Sequence, residues 1–168
     1  MTMVGGNVGR FVEAAERSGG VCSKYMRRLA AVERKEDLFR VLCDVYGGDW
    51  LFETHARGEA VPLDDFVKEY AQFLDGSRVM EYPEGYTAKM YCRQDGAEIV
   101  ADTTLVWLLE CKGVRVVVPD NAYPTVSLSD GSSAEITLGN GARLNLETYG
   151  TSSAKVHGDN TKVRRTSK

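Results

Sequence analysis

The apolar residues of this chain follow two periods, and the change between them falls at one place. From Asn7 to about Asp75 the spacing is helical. Leu38, Val41, Leu42 and Val45 recur at i, i+3, i+4 and i+7, one stripe of a helix. Leu63, Phe66, Val67, Tyr70, Phe73 and Leu74 form a second stripe, opened by Pro62 with Asp64 and Asp65 at its positive end and closed by Gly76. Weaker helical patterns cover Phe11–Arg17 and Tyr25–Val32, bounded by Gly19-Gly20 and by Glu33-Arg34-Lys35. Gly47-Gly48 reads as the stop of the Leu38 helix, with Asp49 capping a short helix that holds Trp50 and Leu51. The pattern predicts four or five short helices.

After Ser77 the period becomes two. Tyr86, Ala88, Met90 and Cys92 alternate with Thr87, Lys89, Tyr91 and Arg93, between Pro83-Glu84-Gly85 and Asp95-Gly96, the latter a hairpin-type turn. Leu105–Leu109 reads as a buried strand, and Gly113–Val118 as another, closed by Pro119. Beyond Pro124 a short motif recurs: Thr125–Leu128, Glu135–Leu138, Arg143–Leu146, Lys155–His157 and Lys162–Arg164. The first apolar residue of each advances by 10, 8, 12 and 7 positions, across Asp130-Gly131, Asn140-Gly141, Gly150 and Gly158-Asp159-Asn160. Small polar side chains suit a thin β-solenoid in which each pass lays one strand on the last. The unequal steps and the Asn-Gly turn suit an antiparallel meander or sandwich. The expected fold is α+β: a helical module over 1–76, a β-solenoid-like module of short strands over 77–165 (alternatively an antiparallel sandwich or meander), and a disordered tail over 166–168.

Composition narrows the class. With 168 residues, 43% hydrophobic and 27% charged, the chain excludes wholesale disorder and collagen-like repeats, and it has the length to bury a core without staples. Neither a leader in Met1–Gly6 nor a membrane-length apolar run is evident, so no membrane role is expected. Cys22, Cys43, Cys92 and Cys111 lack a C-x-x-C pair, and Cys43 and Cys92 read as core residues of a reducing, cytoplasmic protein. The net charge of −3 divides unevenly: the last 18 residues carry +4 and everything before them −7. That makes Lys155, Lys162, Arg164 and Arg165 the candidate interaction residues.

Other candidate chemistry is thin. Gly5-Gly6-Asn7-Val8-Gly9 lacks the strand and acid of a dinucleotide fingerprint and the Gly-Lys-Ser/Thr of a P-loop. His55 and Glu59 share a helix face but supply only two ligands, so neither metal nor cofactor is expected. His157 has no acidic partner within its motif, and Asp102 reads as a turn residue. Lys89, Tyr91 and Arg93, with Tyr82 and Tyr86 nearby, interleave basic and aromatic residues as a single-stranded nucleic-acid platform would.

Phe11-Val12-Glu13-Ala14-Ala15-Glu16-Arg17-Ser18-Gly19-Gly20-Val21-Cys22 and the Gly-Asn-Gly strand repeats near the carboxyl end resemble small uncharacterised proteins of gut bacteria and their prophages or mobile elements. The resemblance implies a helical front half, a rung-like β tail and an accessory or assembly role, and it carries no catalytic motif or site residue. The functional expectation is a non-enzymatic structural or protein-interaction protein that binds a protein partner or associates with itself as a homo-oligomer. The alternatives are a nucleic-acid-associated regulator using the basic tail, and a small hydrolase-type enzyme whose residues converge only in the fold.

Overall fold

The structure is a computed structural model that describes residues 13, 17, 23–32, 37, 41, 45–56, 74–81 and 84–168. The chain divides into two units, Met1–Tyr70 and Ala71–Lys168. In the first, α1 spans Ser23–Ala30 and α2 spans Val45–Ala56. Leu29 is the buried residue of α1, whose last turn places Arg27 and Arg28 at the negative end of the dipole. In α2 the buried Gly48, Phe52 and Ala56 fall four apart, with Leu51 beside them. The expected break at Gly47-Gly48 and the cap at Asp49 are therefore corrected: the helix runs through all three. Both glycines are buried, and tertiary packing overrides their weak helix propensity. Glu13, Arg17, Asp37 and Val41 are helical as expected, while the predicted helix from Pro62 lies outside the described residues as far as Phe73.

The second unit is β throughout. Its strands are β1 (Met80–Glu81), β2 (Thr87–Cys92), β3 (Glu98–Val100), β4 (Leu105–Leu109), β5 (Val114–Val118), β6 (Thr125–Leu128), β7 (Ser133–Leu138), β8 (Leu144–Thr148), β9 (Ser153–His157) and β10 (Val163–Ser167). From β2 onward, consecutive strands alternate between two sheets. The first sheet has the order β1-β2-β4-β6-β8-β10 and the second β3-β5-β7-β9. Every pairing from β2 onward is parallel, so the antiparallel sandwich or meander is excluded. The unit is a β-solenoid of four two-strand rungs, with β10 opening a fifth.

The repeat is a pair of strands rather than one. Along the first sheet Met90, Trp107, Ser127, Glu147 and Thr166 are register partners, at offsets of 17, 20, 20 and 19. The uneven single-strand steps of the sequence disappear once two strands are counted as one pass. Asp95-Gly96 and Asn140-Gly141 are accordingly corners that carry the chain between sheets, not hairpin turns.

Inward-facing residues stack into columns. Ile99, Val116, Ile136 and Val156 form one in the second sheet, and Val106, Val126 and Leu146 one in the first. All are buried except Val156, which is half-buried. Each buried Val, Leu or Ile contributes roughly 1.5–3 kcal/mol, so a core one side chain thick on each sheet suffices when it is repeated. On the opposite face of the first sheet, Ala88, Met90, Cys92, Trp107 and Leu109 are buried as well. That apolar character stops at β6, where the Trp107 column continues as Ser127 and Glu147. The Leu105–Leu109 run in the sequence is thus a strand buried on both faces.

The corners are stapled along the stack. The Asp95 carboxylate accepts from Lys112 N–H at 2.8 Å, Asp120 from Asn140 N–H at 2.7 Å, and Asp130 from both the N–H and hydroxyl of Thr151 at 2.7 Å. A side chain at Gly150 would stand 2.5 Å from Asp130 Oδ1, so the receiving corner has none. Ser129 and Ser132, both buried, accept from the N–H groups of Glu110 and Cys111 at 2.8 and 3.1 Å. N–H groups of one corner are thus met by hydroxyls of the next, which is where the small polar residues of the sequence are used.

The two ends are finished differently. Residues 74–81 run antiparallel along β2, with Gly76 N–H donating to Met90 and Cys92 N–H to Leu74. Gly76 has φ +79°, and a Cβ there would lie 2.0 Å from the Tyr91 ring, so backbone and ring pack directly. At the other end the expected disordered tail is corrected. Thr166 and Ser167 belong to β10, Lys168 N–H donates to Thr148 at 2.9 Å, and Lys168 Nζ meets Tyr149 Oη at 2.9 Å and Glu147 at 3.2 Å. A basic, polar tail here gains a whole strand of ladder bonds, which composition alone does not show.

Candidate functional site

The final rung gathers the basic residues singled out by charge. β9 is half open: Ala154, Val156 and His157 are half-buried while Ser153 and Lys155 are exposed. A short 3₁₀ turn, Asn160–Lys162, returns the chain to the first sheet. Its cap is Asp159, whose Oδ1 accepts from the Thr161 hydroxyl at 2.6 Å and from Thr161 N–H at 3.0 Å, holding the carboxyl below its usual range. β10 follows, with Arg164 through Ser167 all exposed.

Lys155, Lys162, Arg164 and Arg165 thus lie on the last rung, but not on one face. Lys155 stands on the outer face of the second sheet, in register with Glu135. Arg164 continues the outward column of Asn145, and Arg165 occupies the interior column above Leu146. The apolar column Val106-Val126-Leu146 therefore continues to an exposed guanidinium. None of the four cations makes an ion pair among the described residues. The rung sets these cations beside strand-edge amides and carbonyls that pair with no other strand among the described residues.

The second group does not assemble. Lys89 Nζ is paired with Asp102 at 2.9 and 3.0 Å, and Asp102 sits in the corner between β3 and β4, the turn position expected for it. Tyr91 is 9% exposed, packed in the solenoid core and over Gly76, and burial pushes its phenol up. Arg93 lies past the end of β2 with φ +52°, its Nε 2.6 Å from Glu110 Oε2. The alternation of Lys89, Tyr91 and Arg93 is not a stacking platform: the ring between the cations points into the protein, and two carboxylates neutralise the cations.

Cys92 and Cys111 are free and buried, and burial pushes their thiols up to about 12 and about 11. They are packing residues, not nucleophiles. Among the described residues no group of three His, Cys, Asp or Glu side chains is placed to hold a metal, and no helix is long and apolar enough to cross a membrane. Gly5–Gly9, Glu59, Asp64, Asp65 and Tyr82 lie outside the described residues.

One feature of the last rung escapes a one-strand reading. Glu98, Arg115, Glu135 and Lys155 are successive register partners on the outer face of the second sheet, with charge alternating at every step. Arg115 Nη2 is 2.6 Å from Glu98 Oε1, and His157 Nε2 is 3.8 Å from Glu135 Oε2. The sequence signal was the triplet Ala97-Glu98-Ile99, repeated as Ala134-Glu135-Ile136. Comparison with protein families, curated proteins and solved structures finds no match to this chain.

Proposed function

We propose that this chain is a non-enzymatic protein-interaction module, with the accessory or assembly role implied by the resemblance noted above, and that the last rung of its solenoid is the contact surface. The observation that supports the reading is the concentration of Lys155, Lys162, Arg164 and Arg165, unpaired, on a rung whose strand edge is open. A partner surface carrying carboxylates would satisfy both the charge and the edge groups. The preferred partner is a different protein. Two copies meeting end to end would set these cations against their own counterparts, and like charges directly opposite destabilise a sheet.

The test is affinity capture from the native host with the full chain and with a variant in which all four cations become Glu. The expected result is one partner protein retained by the wild type, insensitive to nuclease, and lost with the variant. Equal retention by both overturns the proposal, and nuclease-sensitive retention transfers the site to a nucleic acid. Light scattering separates a bland role for these charges. If they only keep strand edges apart, the variant self-associates and still captures the partner.

A further inference from the structure

The first sheet is two strands longer than the second, and one of the extra strands lies at each end. β8 and β9 complete the fourth rung, while β10 begins a fifth with no strand opposite it among the described residues. Beside β10, the edge of β9 is therefore a step one strand wide, about 4.8 Å in the hydrogen-bonding direction.

The backbone of that step is set to receive a strand. Ser153 N–H donates to Ser132 at 3.0 Å, so Ser153, Lys155 and His157 direct their amides and carbonyls toward β7. Ala154 and Val156 direct theirs to the open side. Their side chains continue the inward columns of Ala134 and Ile136, yet both are only half-buried.

The side chains specify what fits. Across the second sheet the successive triplets are Ala97-Glu98-Ile99, Val114-Arg115-Val116, Ala134-Glu135-Ile136 and Ala154-Lys155-Val156: apolar, charged, apolar, with the sign reversing each time. The next member of that series is apolar, acidic, apolar. We infer that β9 is a docking edge for an extended segment of a partner protein with this pattern, added in parallel, its acidic side chain opposite Lys155. The inference rests on the interaction role proposed above and names its mode.

A second copy is not the occupant. Stacked head to tail, its β3 would carry the right acid, but β10 of one copy and β1 of the next would intervene in the first sheet, holding β3 three strand spacings from β9 instead of one. Antiparallel pairing of β9 with itself sets Lys155 against Ser153, Lys155 or His157, and in none of these registers against an acid.

The probe is the capped heptapeptide Ser-Ser-Ala-Glu-Ile-Thr-Leu, the sequence of residues 132–138, with a second peptide carrying Lys in place of Glu. Both are titrated into the isotope-labelled full chain at low salt and followed by amide shifts. The acidic peptide is expected to move the amides of β9 and β10, to slow hydrogen exchange at Ala154 and Val156, and to bind about tenfold tighter than the Lys peptide. Lys155→Glu is expected to reverse that preference. Ala154→Pro, which removes an outward N–H and spares the ladder to β7, abolishes binding of both while the remaining amide spectrum stays native. Equal binding of the two peptides, shifts away from β9, binding that survives Ala154→Pro, or no binding overturns the inference. Failure here, with host capture still lost in the four-Glu variant, removes the strand-addition mode and leaves the interaction surface. Capture that is unaffected removes both.

Discussion

The two ends of the solenoid solve the same problem in opposite ways. At the start, an antiparallel segment covers the edge of β2, Tyr91 closes the core against Gly76, and Lys89 and Arg93 are neutralised by Asp102 and Glu110. At the finish, the edge of β9 is open, Val156 and Val163 are half-buried, and four cations carry no ion pair among the described residues. Both ends must deal with unpaired backbone groups and a truncated core. The first edge is paired, whereas the second has no further strand beside it among the described residues. Equivalent substitutions at the two ends should therefore differ sharply in cost.

The largest difference is expected within one column. Ile136→Ala opens a cavity in the middle of the stack and should cost about 2–5 kcal/mol, while Val156→Ala at the open end should cost about 1 kcal/mol or less, read as denaturant midpoints. Gly76→Ala tests the covered end. It forces a side chain into the Tyr91 ring at a positive φ, and a loss of about 2 kcal/mol or more in thermal unfolding is expected. Near the finish, Asp130→Ala removes both bonds to Thr151 and should cost about 1–2 kcal/mol.

The buried thiols of the early rungs give a pH signature. Burial raises Cys92 and Cys111 in the folded chain, so above about pH 8.5 the unfolded chain releases protons that the folded chain keeps. Their contribution is whole below that pH and is lost as pH rises toward the folded values of about 11 and 12. Peptide mapping after alkylation at pH 8 should find both unmodified in the folded protein and modified in denaturant. The smallest stability effect belongs to Lys155→Gln, expected within about 0.5 kcal/mol of wild type, because the exposed side chain makes no ion pair among the described residues. A large loss there would show that the open end supports the fold after all.

Much of this architecture was legible in the sequence. Period-two alternation located β2 and β5, the run Leu105–Leu109 announced a buried strand, and the small polar residues pointed to stacked rungs. What hid the rest was that side-chain periodicity reports a strand's two faces but not its partner. Parallel neighbours in this solenoid lie 17 to 20 residues apart, beyond the reach of local pattern, so Asp-Gly and Asn-Gly were read as hairpin turns when they serve as corners. The same blindness affected the sites. Charge bias identified Lys155, Lys162, Arg164 and Arg165, but Lys89 and Arg93 lost their apparent freedom to acids 13 and 17 residues away. Asp49 failed as a cap for a different reason: burial of Gly47 and Gly48 outweighed their helix-breaking tendency.

The two-strand rung also sets the unit in which this chain tolerates insertion and loss. An insertion of one or two residues within a strand would turn inward columns outward or slide a corner Asp off the backbone it staples, on every later rung of the ladder. Removing the twenty residues from one register position to the next, as from Val116 to Ile136, would instead keep the inward columns continuous, while setting Arg115 against Lys155 on the outer face. Length variants that keep the inward columns should therefore differ by whole rungs or by a few residues placed in corners, where rungs of 17, 19 and 20 residues already differ.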